Sequence, residues 1–111
     1  MPNTAPPARI VLTTCDNPRE ASQLARTLVE EQLVACATLI PAVQSIYRWQ
    51  GAIESGTETL LLLKTGAEQI AALEARLLAL HSYQTPEFLV LPVESGSLPY
   101  LEWIQSSVRK P

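Results

Sequence analysis

The chain has 111 residues, 47% of them hydrophobic, and a formal net charge of −3. That is the size of one domain, with enough apolar residues for a core but modest burial, so association with further copies is a natural way to gain more. Its eight Lys and Arg are scattered rather than striped, which argues against nucleic acid and against an anionic membrane surface.

In chain order, residues 1–8 carry three prolines and lack both a charged n-region and an apolar h-region, so they read as a short disordered arm and not a secretory signal. Residues 9–111 read as a single domain. A run rich in β-branched residues at 9–14 predicts the first strand, closed by the turn signal Asp16-Asn17-Pro18. Asn17 is placed to cap a helix, with Pro18 as its first residue and Glu20 as the reciprocal capping-box partner. The helix is expected to reach about Gln32. Ala21, Leu24, Ala25, Leu28 and Val29 form its buried face.

Residues 33–49 read as extended. Pro41 lacks the N–H a ladder needs, so it marks an edge or a bulge. Gln50-Gly51 is a hairpin turn, and the return strand is strongest over 58–65. A two-stranded ribbon this long protrudes from its own domain, and its open edges invite pairing with another chain. Thr65 and Glu68 predict a second capped helix with a stripe of Ile70, Leu73, Leu77 and Leu80. It stops near residues 81–83, because Pro86 disfavours helix at Thr85. The apolar run 88–93 reads as a buried strand. A last short helix follows Gly96, capped by Ser97, with Leu101, Ile104 and Val108 on one side. The order β-α-β-β-α-β plus a terminal helix is that of a ferredoxin-like α+β sandwich.

Catalytic signatures are missing. The four glycines form neither GxGxxG nor a P-loop, and the one histidine, His81, leaves no Ser-His-Asp arrangement with an elbow serine. A binding protein is expected, not an enzyme. Cys15 and Cys36 form no CxxC pair, and a reduced pair in the cytoplasm is the expectation.

Several segments carry a resemblance. They are Thr14-Cys15-Asp16-Asn17-Pro18, residues 33–41, residues 45–51, residues 81–87, Leu91-Pro92-Val93 and residues 100–104. Together and in this order they resemble the signatures of the CutA family, linked to divalent-cation tolerance. The resemblance implies a ferredoxin-like subunit in a homotrimer built by pairing long strand ribbons, located in the cytoplasm, with copper or another divalent cation as its ligand. It places the family's metal site at Cys15 and His81. The first histidine of the family's adjacent pair falls on Leu80 and the second on His81, so Glu87 or another subunit has to complete the ligand set. A thiolate with an imidazole suits copper or zinc.

Each of these residues has a plainer reading. Cys15 fits a small buried residue at a strand end. His81 fits a helix C-terminus. Tyr47, Arg48 and Trp49, near the ribbon tip, are of the types enriched at interfaces and are assigned to subunit contact, with cross-strand packing as the alternative. The CutA trimer is also similar in architecture to PII signalling trimers, which bind small molecules between subunits. On that reading Lys64, Tyr83 and Trp103 line a ligand cleft together with His81 and Glu87. A trimeric scaffold without a ligand is the third possibility.

Overall fold

The computed structural model describes residues 7–110. Of the arm expected at residues 1–8, residues 1–6 lie outside them. Ala8, at the boundary, belongs to the domain rather than the arm: it is buried and opens the first strand, β1 (Ala8–Cys15). Then come α1 (Pro18–Glu30), β2 (Cys36–Trp49), β3 (Ala52–Gly66), a 3-10 turn (Ala67–Gln69), α2 (Ile70–Leu80), β4 (Leu89–Pro92) and α3 (Leu98–Ser107). The antiparallel sheet has the order β2-β3-β1-β4, as the ferredoxin-like order requires.

Asn17 caps α1 as expected, its Oδ1 accepting from the Glu20 N–H at 2.8 Å. The reciprocal half of the box is not formed: Glu20 Oε1 is buried with no partner among the described residues. The helix ends before Gln32, which takes φ 59. Gln32 N–H donates to Val29 O and Leu33 N–H to Leu28 O, at 2.9 and 3.0 Å. That is a Schellman closure with glutamine where glycine is usual. Val29, expected on the buried face, is 39% exposed.

The ribbon runs as read. Gln50 and Gly51 take φ 50 and 85, the doubly left-handed turn that suits strand twist. Pro41-Ala42 forms a bulge between the paired residues Ile40 and Val43, with Ala42 at φ 61. The molecule measures 53 Å along its long axis and 22 Å along its shortest. Thr65 does not cap α2. It stays in β3, where its hydroxyl donates to Leu33 O at 2.7 Å, and the chain enters α2 through the 3-10 turn after Gly66.

Strand alternation splits the sheet into two faces. The inner face, under α1 and α2, carries Val11, Cys15, Leu61 and Leu63, and these pack with Leu24, Leu28, Leu73 and Leu77. Leu80 was expected in this stripe. It lies on the last turn of α2, past the sheet, and is 39% exposed. The outer face carries Ile10, Leu12, Leu60 and Leu62. α3 covers only its end, packing Leu101, Ile104 and Val108 on Ala8 and Ala35. β4 is an exposed edge rather than a buried strand, with Leu89 55% and Leu91 44% exposed. Among the described residues its strand neighbour is β1 alone, which leaves its other edge unpaired by any strand.

Candidate functional site

The end of β1 separates two cavities. Thr14 points to the outer face and Cys15 to the inner, because consecutive strand residues alternate. Each lines a different cavity.

The inner cavity, about 530 Å³, lies between the end of β1, the flank of α1 and the end of α2, and is bordered by Cys15, Glu20, Arg26, Leu80 and His81. Here the two residues proposed as soft ligands do meet: Cys15 Sγ is 3.8 Å from His81 Nε2. Neither is open to a metal as it stands. His81 Nε2 lies 2.7 Å from Thr14 O, a pure acceptor, so that nitrogen carries the proton. Nδ1 accepts from the Tyr83 N–H at 3.0 Å, which occupies its lone pair. The imidazole thus ties the 81–83 turn to β1, stacking at a tilt on Tyr83 with 4.7 Å between ring centres. The thiol of Cys15 is fully buried. Burial, then the charges of Glu20 and Glu58, push it up to about 12. A metal binds the thiolate, and this thiol holds its proton. Among the described residues no group of three His, Cys, Asp or Glu is close enough to hold a metal ion. The thiol-imidazole pair therefore does not fit a bound metal in this conformation.

The outer cavity, about 770 Å³, sits where the ribbon stem meets the 81–87 segment. Asp16, Glu58 and Glu87 line it, with Ser45, Tyr47, Trp49 and Tyr83. Among the described residues no Lys, Arg or His does. Glu58 faces it because β3 residues 58, 60 and 62 share the outer face. Tyr83 Oη donates to Glu58 Oε2 at 2.6 Å, linking the segment to the stem. Burial works to raise the Glu58 carboxyl, but hydrogen bonds from Ser45, Tyr83 and Thr14 outweigh it and hold the group below its ordinary value. Burial and the Glu58 charge instead push Glu87 up. Tyr83 is raised in turn, by burial and by the carboxylate it serves.

The predicted site residues thus divide. Cys15 and His81 meet in the inner cavity. Glu87 and Tyr83 meet in the outer one, joined by Tyr47 and Trp49 of the ribbon. Arg48 lies on the opposite face of the ribbon, paired with Ile53. Lys64 is not in the cleft: it lies six residues along β3 from Glu58, about 20 Å on an extended strand. There its Nζ donates to Thr38 Oγ1 at 3.2 Å and to Cys36 Sγ at 3.9 Å. Trp103 also lies elsewhere, on α3, with 5.4 Å between its ring centre and that of Tyr100. Sequence reasoning missed Glu58 and Asp16. A lone carboxylate opening the run Thr59–Leu63 was the available signal for Glu58.

These features define the class: a ferredoxin-like α+β subunit with a protruding ribbon and an acid-lined cleft at its base. A family profile described as CutA1 divalent ion tolerance protein matches residues 9–107, and the chain belongs to that family. The divalent-cation tolerance protein CutA of Citrobacter koseri is 43% identical over 104 residues, spanning 94% of this chain and 90% of that protein. Human protein CutA is 42% identical over 92 residues, 83% of this chain, and the match spans only 51% of the human protein's length. The crystal structure of CutA1 from Oryza sativa superposes with a TM-score of 0.94 at 35% identity, over 98% of this chain and 100% of that one.

Proposed function

We propose that this chain assembles as a homotrimer in the cytoplasm and serves divalent-cation tolerance by binding, not by catalysis, with the acid-lined cleft receiving the cation. The observation that carries this reading is the cleft's composition: among the described residues three carboxylates and no basic side chain border it. Such a cavity has a negative potential and concentrates cations. Hydrogen bonds hold the Glu58 carboxyl below its ordinary value, and an incoming cation offsets the Glu58 charge that, after burial, pushes Glu87 up.

Carboxylate and water ligands suit hard divalent ions, whereas copper, the ion the family resemblance suggests, prefers the thiol and imidazole that are closed off here. The trimer is supported by the apolar outer face, the bare edge of β4 and a ribbon that exposes Ile46 and Ile53 by 69% and 64%. The cytoplasmic setting is supported by two free cysteines. Among the described residues no helix is long and apolar enough to cross a membrane.

Calorimetric titration of the whole protein with copper, zinc and manganese tests this. Glu58→Gln is expected to weaken uptake about tenfold while Cys15→Ala leaves it unchanged. Uptake lost in Cys15→Ala and kept in Glu58→Gln overturns the assignment of the cleft.

A further inference from the structure

The inner cavity does not fit a metal, yet one of its lining side chains lacks a donor. Glu20 borders it, and Glu20 Oε1 is buried with no hydrogen-bond partner among the described residues. A buried carboxylate oxygen without a donor is costly and uncommon. The neighbouring side chains do not supply one. His81 Nε2–H is already spent on Thr14 O, and the Cys15 thiol is a weak donor. The last torsion of a glutamate is soft, so a small rotation brings Oε1 to the cavity that the side chain already lines. The cavity opens between the helices, across the sheet from the outer face, the ribbon and the β4 edge assigned to subunit contact.

The walls carry both signs of charge. Glu20, Gln23, Thr27 and Glu30 recur every three or four residues along α1 and form one stripe, with Arg26 beside it. Among the described residues Arg26 forms no ion pair. Two acids oppose a phosphate ligand, and the guanidinium opposes a dication. A ligand that carries both an ammonium and a carboxylate satisfies both signs. The rest of the wall is apolar, with Leu24 from α1 and Leu80 from the last turn of α2. Leu80 faces this cavity instead of joining the core stripe. The volume of about 530 Å³ lies within the roughly 300–1,000 Å³ of small-molecule sites.

We propose that the inner cavity binds a free amino acid with an apolar side chain. Its ammonium donates to Glu20 and supplies the missing partner, its carboxylate pairs with Arg26, and its side chain lies against Leu24 and Leu80. An ammonium brings three donors, and a guanidinium grips a carboxylate with two parallel hydrogen bonds. No residue of the outer cleft takes part, so this site is independent of the cation reading.

L-Leucine is the probe, titrated calorimetrically into the assembled full chain. Isoamylamine, which lacks the carboxylate, and isocaproate, which lacks the ammonium, are the half-ligand controls. Saturable binding is expected for leucine, with each half-ligand bound about tenfold more weakly or worse. Glu20→Gln should weaken leucine binding about tenfold. Arg26→Gln should weaken it roughly two- to fivefold, because that pair is exposed. Leu80→Ser should erase the preference for leucine over alanine. Asn17 caps α1 through the Glu20 backbone N–H, so the cap survives in Glu20→Gln. Circular dichroism checks the fold of each variant, and Arg26→Gln with Leu80→Ser decide if Glu20→Gln unfolds. The proposal is overturned if leucine gives no saturable heat, if isoamylamine binds as tightly as leucine, or if leucine affinity is the same in wild type and all three variants. Cation uptake without leucine binding defeats this inference alone. Leucine binding without cation uptake upholds it and defeats the cation reading alone.

Discussion

The hydroxyl of Tyr83 donates to Glu58 Oε2 across 2.6 Å, and this contact joins two segments that are 25 residues apart in the chain. It anchors the 81–87 segment to the ribbon stem and, with hydrogen bonds from Ser45 and Thr14, holds the Glu58 carboxyl below its ordinary value. Tyr83→Phe removes the donor alone. A hydrogen bond to a charged group is worth about 1.5–3 kcal/mol, and partial exposure puts the expected loss at or below the lower end. Chemical denaturation measures that loss, and carboxyl NMR titration should show the Glu58 pKa rising.

Glu87 sets the pH dependence. Its carboxyl titrates above the ordinary value because of burial and the Glu58 charge. A carboxyl with a raised folded-state pKa disfavours folding once pH passes that value, because the unfolded chain ionises more easily. Glu87→Gln is therefore expected to stabilise the protein at neutral pH, by no more than about 0.5 kcal/mol after solvent screening, and to have no such effect at pH 4. Cation affinity should rise as pH rises through the Glu87 titration, and the Gln variant should lose that dependence.

The two cysteines should differ sharply in reactivity. Cys15 is fully buried and its thiol is pushed up to about 12. Cys36 is half-buried, with the Lys64 ammonium 3.9 Å from its sulfur. A thiol-reactive dye at pH 8 is expected to label one thiol per chain in the native protein, lost in Cys36→Ser, and two after denaturation. For Cys15 the folded pKa lies above the unfolded value, so its contribution to stability is intact at neutral pH and is lost as pH rises from about 9 towards 12. Alkaline melting curves of wild type and Cys15→Ala should converge over that window.

Gln32 sits at φ 59 in the closing turn of α1. A left-handed conformation costs a non-glycine residue about 1 kcal/mol, which glycine avoids. Gln32→Gly is expected to raise stability by roughly 0.5–1 kcal/mol in denaturant unfolding, despite glycine's greater freedom in the unfolded chain.

Most of the fold was legible because its signals are local. Asn17-Pro18 announced α1, Gln50-Gly51 the ribbon turn, and Pro41 the bulge. What local signals could not convey was which side of an element meets what. The run 88–93 is as apolar as a buried strand, yet β4 lies at a sheet edge. Thr65 has the spacing of a cap, yet the β3 ladder extends through it and uses its hydroxyl on Leu33. The site was legible only in pieces. Cys15 with His81, and Tyr83 with Glu87, were singled out, but the first pair borders the inner cavity and the second the outer one, on either side of the end of β1. Glu58 joined the second pair only through the β2–β3 register, which no local pattern reveals.

Native mass spectrometry of the reduced protein during a divalent-cation titration tests the central claim most directly, because it reads subunit number and bound ions together. The prediction is a species of three 12.2 kDa chains that takes up a fixed whole number of ions per chain, unchanged in Cys15→Ala and strongly reduced in Glu58→Gln. A monomer, or a trimer whose uptake disappears in Cys15→Ala and persists in Glu58→Gln, would contradict it.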